Sequence, residues 1–236
     1  MSHENSPILI TGAARSGTSM IAGSIYLCGA FKGKTGQGNI YNKKGMFENL
    51  RLREEIIKPF LSGMGADKLG QYPLPETNKI KMPVDISLKI KTIMRDEGWN
   101  GRDPWMWKCA KMSLVWPVWA FAFPRSKWVI VRREDKDIVQ SCIKTGFMNK
   151  LQRQEVQRHI GAKSDQEGWQ WWVDRHKEKF AQIISAGVNV QTVWPEKLIE
   201  GDYSQLKDTV EWLGLEWDGS AVADFIEPKL WKTRRK

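Results

Sequence analysis

The sequence has few cysteines and histidines and no long hydrophobic run. Its longest apolar run, at 114–123, is broken by Pro117 and reaches about half the length of a membrane-spanning helix. The first residues show no basic region followed by an apolar stretch, so the sequence predicts no secretory leader and a cytoplasmic location. Cysteines stand at positions 28, 109 and 142. An odd number of widely spaced cysteines among apolar neighbours favours reduced core thiols over disulfides or a metal cluster.

Basic side chains outnumber acidic ones. The 236 residues include 37 Lys and Arg against 27 Asp and Glu, which gives a formal net charge of +10. Such a charge attracts anions without selecting among nucleotide, nucleic acid and anionic glycan. The sequence contains no recognisable nucleic-acid-binding module, which argues against nucleic acid as the partner. The chain length favours one domain, 1–236, which ends in a basic tail at 229–236.

Short apolar runs alternate with helical patterns along the chain. The run at 8–11 precedes a glycine turn and a helical pattern to residue 27, and further runs at 105–108, 127–131 and 188–193 are each followed by a helical pattern. Helices are also predicted at 47–61 and 84–95, and a longer helical segment is predicted at 146–186. The alternation predicts a three-layer α/β fold, P-loop NTPase-like, with a parallel sheet of about four to five strands flanked by helices.

The segment TGAARSGTSM, at 11–20, has the spacing of a phosphate-binding loop but lacks its lysine. Gly12, Gly17 and Ser19 fit the pattern of Gly, four residues, Gly, Lys, Ser or Thr, and Thr18 stands where the lysine would be. Glycines let backbone amides curl around an anion, and the following helix adds its positive N-terminal end. The order of strand, loop and helix therefore predicts an anion site.

Two features of a nucleotide triphosphatase are missing from the sequence. Such an enzyme uses the loop lysine for the β- and γ-phosphates and an aspartate at a strand end for Mg²⁺. The predicted strands end instead in Lys108 and in Arg132 and Arg133. Cations at strand ends suit an anionic ligand held without a metal ion.

The loop resembles the 5′-phosphosulfate loop of sulfotransferases that use 3′-phosphoadenosine 5′-phosphosulfate (PAPS). The segment AARSGTS is similar to the PRSGT of that family, with Ala14 in place of the proline. The resemblance implies that PAPS is the nucleotide co-substrate and that the loop binds its 5′-phosphate and sulfuryl group. The residues that would do so are Arg15, Ser16, Gly17, Thr18 and Ser19.

A second segment, VIVRREDKDIVQS, is similar to the 3′-phosphate segment of the same family. There a strand ends in arginine, and the following helix has an aspartate four positions and a serine eight positions later. Arg133, Asp137 and Ser141 have this spacing. Arg132 is one residue out of the pattern and is expected on the opposite side of the strand. Weaker likenesses to bacterial sulfotransferase-like proteins occur in NKKGMFENLRLREE and FIEPKLW, and MWKCAK shares Lys108 with the NKDP segment of tyrosylprotein sulfotransferases.

The resemblance implies transfer of a sulfuryl group to a hydroxyl or amine of a small-molecule, glycan or peptide acceptor. The departing 5′-phosphate gains negative charge, and Arg15 and Lys108 are predicted to stabilise it. An acceptor hydroxyl also needs a base within hydrogen-bond reach. Glu48, in the GMFEN segment, is the candidate, and a helix N-terminal glutamate favoured by the helix dipole is the alternative interpretation.

The tryptophans and histidines give weaker indications. Most of the 13 tryptophans are expected in the core. The helical segment at 146–186 is a candidate for the acceptor side of the site, and within it Trp169, Trp171 and Trp172 are candidates to contact the acceptor. His159 and His176 are expected at exposed helix positions without a catalytic role.

Other functions are compatible with the loop. A small-molecule kinase or another nucleotide-dependent transferase on the same scaffold would require Mg²⁺ and ATP. A non-catalytic nucleotide-binding relative would retain the anion-binding loop without catalysing a reaction. The sequence allows a homo-oligomer but does not require one.

Overall fold

The computed structural model describes residues 6–40, 42–146 and 148–231, so most of the predicted basic tail, 232–236, lies outside the described residues. Within these ranges the strands are β1 Ile8–Gly12, β2 Met106–Lys108, β3 Lys127–Val131 and β4 Asn189–Val193. The α-helices are α1 Thr18–Leu27, α2 Lys58–Gly63, α3 Ile86–Asp96, α4 Trp116–Ala122, α5 Asp135–Ile143, α6 Gln154–Ile160, α7 Asp165–Ser185, α8 Pro195–Ile199, α9 Ser204–Leu213 and α10 Gly219–Phe225. A π-helix, Leu52–Ile57, leads into α2.

The described strands form one parallel sheet in the order β2-β1-β3-β4. Ile10 of β1 pairs with Lys108 of β2 and with Val129 of β3, and Val129 pairs in turn with Gln191 of β4. All residues of β1 and β2 are buried, because helices cover both faces of the sheet. The predicted α/β fold with a parallel sheet is confirmed, and the carboxyl ends of β1, β2 and β3 lie side by side.

Side chains of the sheet alternate between two hydrophobic cores. Leu9, Trp128 and Ile130 point into a core built with the π-helix, α3, α4 and the C-terminal half of α7. Ile10 and Val129 point into the other core, built with α1, α8, α9 and α10. This alternation follows from the period of two along a strand. The predicted three-layer arrangement is therefore confirmed.

The helical segment predicted at 146–186 forms α6 and α7. These two helices and α5 pack around a third apolar cluster, which also includes Ala13 of the loop. The three cysteines are buried free thiols. The expected use of tryptophan in the core is confirmed for the seven that are buried, Trp99, Trp105, Trp107, Trp119, Trp128, Trp169 and Trp172. No helix in the described ranges is long and apolar enough to cross a membrane.

The helix predicted at 47–61 begins later than expected. Asn49 caps its start, because Oδ1 of Asn49 accepts a hydrogen bond from the N–H of Leu52 at 2.9 Å. Phe47 has a φ of 54°, which lies outside the helical range. Glu48 consequently lies on an irregular segment just before the helix rather than in its first turn.

Candidate functional site

The loop between β1 and α1 has a shape suited to an anion. Arg15 and Gly17 have φ values of 72° and 94°, so the chain turns sharply before α1 begins at Thr18. A Cβ atom on Gly12 would lie 2.5 Å from the carbonyl oxygen of Val131, so only glycine fits beside β3. The first N–H groups of a helix have no carbonyl partner within it, and loops of this kind use them to bind anions.

We expect Gly17→Ala to destabilise the chain more than Gly29→Ala. Both glycines have positive φ, 94° and 103°, so alanine costs about 1–2 kcal/mol at either position. A Cβ on residue 17 would also lie 2.9 Å from Cγ of Pro195, whereas a Cβ on residue 29 meets nothing within 4 Å. Denaturant unfolding should therefore show a further loss of about 1–3 kcal/mol for Gly17→Ala. Equal losses would contradict the close packing of the loop against Pro195.

Arg15, Arg133 and Ser141, predicted from two separate motifs, are joined by hydrogen bonds. Nε of Arg15 donates to Oγ of Ser141 at 3.0 Å, and Nη1 of Arg133 donates to the carbonyl oxygen of Arg15 at 2.8 Å. Burial lowers the pKa of both arginines, but a guanidinium remains charged at neutral pH. Arg132 points the other way, as predicted, with its guanidinium carbon 5.4 Å from the ring centroid of Phe180. The loop and the end of β3 thus form one cationic unit.

The end of the described chain covers Arg133. The ring centroid of Trp231 lies 4.0 Å from the guanidinium carbon of Arg133, a cation–π contact. The same ring comes within 3.1 Å of the position that a Cβ on Gly17 would occupy. Beside Arg133, a carboxylate oxygen of Glu196 lies 3.9 Å from Nε, and burial raises the pKa of Glu196. Trp231 belongs to the FIEPKLW segment, which indicated a family likeness but no role for this residue.

Glu48 lies between the buried Lys108 and the largely buried Lys111. Its Oε1 is 3.5 Å from Nζ of Lys108, and its Oε2 is 3.8 Å from Nζ of Lys111. Nζ of Lys108 also donates to Oγ of Ser19 at 3.4 Å, which connects the cluster to the loop. The structure therefore brings together Glu48, Lys108 and the loop, which were predicted separately. Lys111 is an addition that no sequence motif indicated.

The surroundings of Glu48 keep its carboxyl group ionised. Burial raises the pKa of this group, but the charges of Lys111, Lys108 and Arg53 together outweigh burial and lower the pKa to about 2. An anion bound beside these lysines would offset their effect on the carboxylate. Glu48 is therefore charged at neutral pH, and a bound anion that raised its pKa would make it a stronger proton acceptor.

These groups open onto one cavity of about 300 Å³. Of the five predicted binding residues of the loop, all but Ser16 line it; Ser16 is fully buried, and its Oγ has no hydrogen-bond partner among the described residues. Glu48, Lys108, Arg133 and Ser141 also line the cavity, whereas Asp137 does not. The cationic side chains along the described lining are Arg15, Lys43, Lys44, Arg53, Lys58, Lys108, Lys111 and Arg133. The described lining carries two carboxylates, those of Glu48 and Glu227. The cavity is therefore strongly positive, as a polyanionic ligand requires.

The prediction that His176 is exposed was wrong. The side chain is 1% exposed and lines the cavity, whereas His159 is exposed as expected. The His176 ring lies on Trp172, with centroids 3.9 Å apart, and its Nδ1 is 3.0 Å from the Trp172 carbonyl oxygen. Burial lowers the pKa of His176 to about 4, so the ring is neutral at pH 7. The buried residues Trp172, His176 and Phe180 recur every four positions, a spacing that indicates one inward helix face.

The three tryptophans proposed for the acceptor side lie in different surroundings. Trp172 lines the cavity, and its Nε1 donates to the carbonyl oxygen of Gly70 at 2.8 Å. Trp169 is fully buried in the third apolar cluster. Trp171 packs against Tyr72, with ring centroids 6.1 Å apart, and does not line the cavity. Trp172 is therefore the one of the three that lines the cavity.

Comparison with solved structures identifies a related fold. The chain aligns with the sulfotransferase domain from the curacin biosynthetic pathway at a TM-score of 0.52 and 10% identity, covering 95% of this chain and 78% of that domain. It aligns with the sulfotransferase domain from the Synechococcus PCC 7002 olefin synthase at a TM-score of 0.52 and 12% identity, covering 100% of this chain and 91% of that domain. No protein-family model and no curated protein sequence matches the chain. The fold of the chain is therefore sulfotransferase-like.

Proposed function

We propose that the protein transfers a sulfuryl group from PAPS to a hydroxyl or amine of an acceptor, without a metal ion. The observation that carries this proposal is the hydrogen-bonded unit of Arg15, Arg133 and Ser141. Arg15 is separated from these partners by 118 and 126 residues. Each of the two segments resembles a different phosphate-binding segment of PAPS-dependent sulfotransferases. Both segments line one cavity, as two phosphate-binding segments of a single nucleotide site would.

The loop and the cavity fit a nucleotide with phosphates at two positions. Gly17, with its positive φ, gives the loop its sharp turn before α1, and the buried Oγ of Ser16 has no partner among the described residues. Arg15, Lys108 and Arg133 along the described lining would balance the charges of the 3′-phosphate and the 5′-phosphosulfate. The residues that would hold the 5′-phosphosulfate are Arg15, Ser16, Gly17, Thr18 and Ser19. Arg133 and Ser141 would hold the 3′-phosphate.

Bound PAPS supplies an activated sulfuryl group. The acceptor oxygen bonds to sulfur while the bond from sulfur to the bridging oxygen breaks. The electron pair of the broken bond leaves with the 5′-phosphate. Glu48 accepts the proton of the acceptor hydroxyl, since its carboxylate lines the cavity in the ionised form. Lys108 contacts both Glu48 and Ser19 of the loop, which places its ammonium to stabilise charge on the departing phosphate. Arg15 adds a second cation at the loop.

The proposal is tested with PAPS labelled in the sulfuryl group. We expect label to appear in one or more members of a mixture of phenols, alcohols, amines and glycans, and to appear equally in the presence of EDTA. Heat-denatured protein serves as the control. Phosphorylation of the mixture from ATP and Mg²⁺, with no product from PAPS, would contradict the proposal and favour a kinase.

A further inference from the structure

The cluster around Glu48 contains one more buried cation than it has carboxylates to balance. The side chains of Lys108 and Lys111 are 6% and 12% exposed, and Glu48 is the ionic partner of both among the described residues. Burial of an ammonium group is unfavourable unless the group is paired and hydrogen-bonded. The cluster therefore carries one uncompensated positive charge, which one further anion would balance.

The two lysines differ in their hydrogen bonds. Lys108 donates to Ser19 of the loop. Lys111 is 3.8 Å from Glu48, which is longer than a hydrogen bond, and the described residues offer its ammonium no closer acceptor. Since Lys111 lines the cavity, the group that could satisfy it is one that enters the cavity.

Lys111 lies on a part of the cavity wall other than the loop. Its aliphatic chain packs at Gly70, where a Cβ atom would come within 2.9 Å of Cγ of Lys111. The carbonyl oxygen of Gly70 accepts the indole N–H of Trp172. Leu69 and Met148 also line the cavity. A ligand that reaches the Lys111 ammonium would thus have an anionic group next to an apolar body.

We infer that the acceptor carries a carboxylate, which Lys111 binds while the acceptor hydroxyl lies at Glu48. This inference rests on the proposed function and names the acceptor class for the same site. His176 lines the cavity but is neutral, so it does not supply a cation for the acceptor. A hydrogen-bonded charge pair of this kind typically changes affinity by about tenfold or more.

The test uses two matched triplets and protein saturated with 3′,5′-bisphosphoadenosine, the desulfated product of PAPS. One triplet is 4-hydroxyphenylacetate, its amide and tyramine, and the other is trans-4-hydroxycyclohexanecarboxylate, its amide and trans-4-aminocyclohexanol. Calorimetry should show that the carboxylate of at least one triplet binds about tenfold or more tightly than its amide, with the amine weakest. Lys111→Gln should remove this preference, and Lys111→Arg should retain it.

Lys58→Gln is the matched control, because Lys58 also lines the cavity but pairs with Glu54 at 2.7 Å. This variant should keep the carboxylate preference, and all variants should keep the wild-type affinity for the bisphosphate. The inference is overturned if amides or amines bind as tightly as carboxylates, if no probe binds the loaded protein, or if Lys111→Gln raises the KM for PAPS as much as for the acceptor. If the wild-type chain fails to bind the bisphosphate, the proposed function fails, and the inference fails with it.

Discussion

The Glu48→Gln variant is expected to lose about 10²–10⁴-fold in sulfuryl transfer while its affinity for 3′,5′-bisphosphoadenosine stays nearly unchanged. The amide has the size of the carboxylate but cannot accept the proton of the acceptor. Its oxygen can still accept a hydrogen bond from Lys108, so the cavity should keep its shape. The comparison requires kcat/KM with labelled PAPS and the dissociation constant of the bisphosphate, measured on both proteins.

Glu227→Gln is the control, because Glu227 also lines the cavity but pairs with Lys44 at 2.7 Å and has a half-exposed side chain. This variant should keep its activity. The wild-type kcat/KM for PAPS reports groups of the free enzyme, and it should show no loss from protonation of Glu48 between pH 8 and about pH 5, since the pKa of Glu48 in the free chain is lowered to about 2. Undiminished turnover of Glu48→Gln would exclude Glu48 as the base.

The Arg133→Ala variant should bind 3′,5′-bisphosphoadenosine about 10- to 100-fold more weakly, with a much smaller loss for AMP. AMP lacks the 3′-phosphate that we assign to Arg133. Comparing the two ligands therefore distinguishes the loss of one phosphate contact from a general loss of nucleotide binding. Arg133 also holds the carbonyl oxygen of Arg15, so Arg133→Lys is a second, milder variant. It keeps the charge and should bind the bisphosphate more tightly than the alanine variant does.

Arg132→Ala is the matched control for this experiment. Arg132 is adjacent in sequence, but its guanidinium lies over Phe180 and Trp194 and does not line the cavity. Its replacement should leave both affinities within about twofold of the wild type. Equal losses of bisphosphate and AMP binding in Arg133→Ala would remove the assignment of the 3′-phosphate to Arg133.

The sheet and the loop could be predicted from sequence because their signals are local. Each strand is a short apolar run, and TGAARSGTSM carries its glycines between a strand and a helix. Parallel pairing then places the end of β3 beside the loop, so the nearness of Arg133 to Arg15 follows from topology once both motifs are found. In VIVRREDKDIVQS, Ser141 lies eight positions, or about two helical turns, after Arg133, and this spacing already predicted that both side chains face the same side.

Other parts of the site depend on packing between distant segments and carry no local signal. Lys111 follows β2 as one lysine among many, and its position beside Glu48 depends on the irregular segment before the π-helix. His176 was misassigned because polar neighbours on α7 suggested an exposed face, whereas the spacing of Trp172, His176 and Phe180 indicates a buried one. Trp231 contacts Arg133 from almost 100 positions further along the chain, and no pattern in the sequence predicts that contact.

The central claim, that the cavity binds a sulfated nucleotide with a 3′-phosphate, is tested most directly by thermal unfolding with added nucleotide. A ligand that binds the folded state alone raises the unfolding temperature by mass action. We predict that 3′,5′-bisphosphoadenosine at about 100 times its dissociation constant raises Tm by about 5 °C or more. EDTA should not change this shift, and ATP with Mg²⁺ at the same concentration should give a smaller one. A larger shift with ATP and Mg²⁺ than with the bisphosphate would contradict the claim.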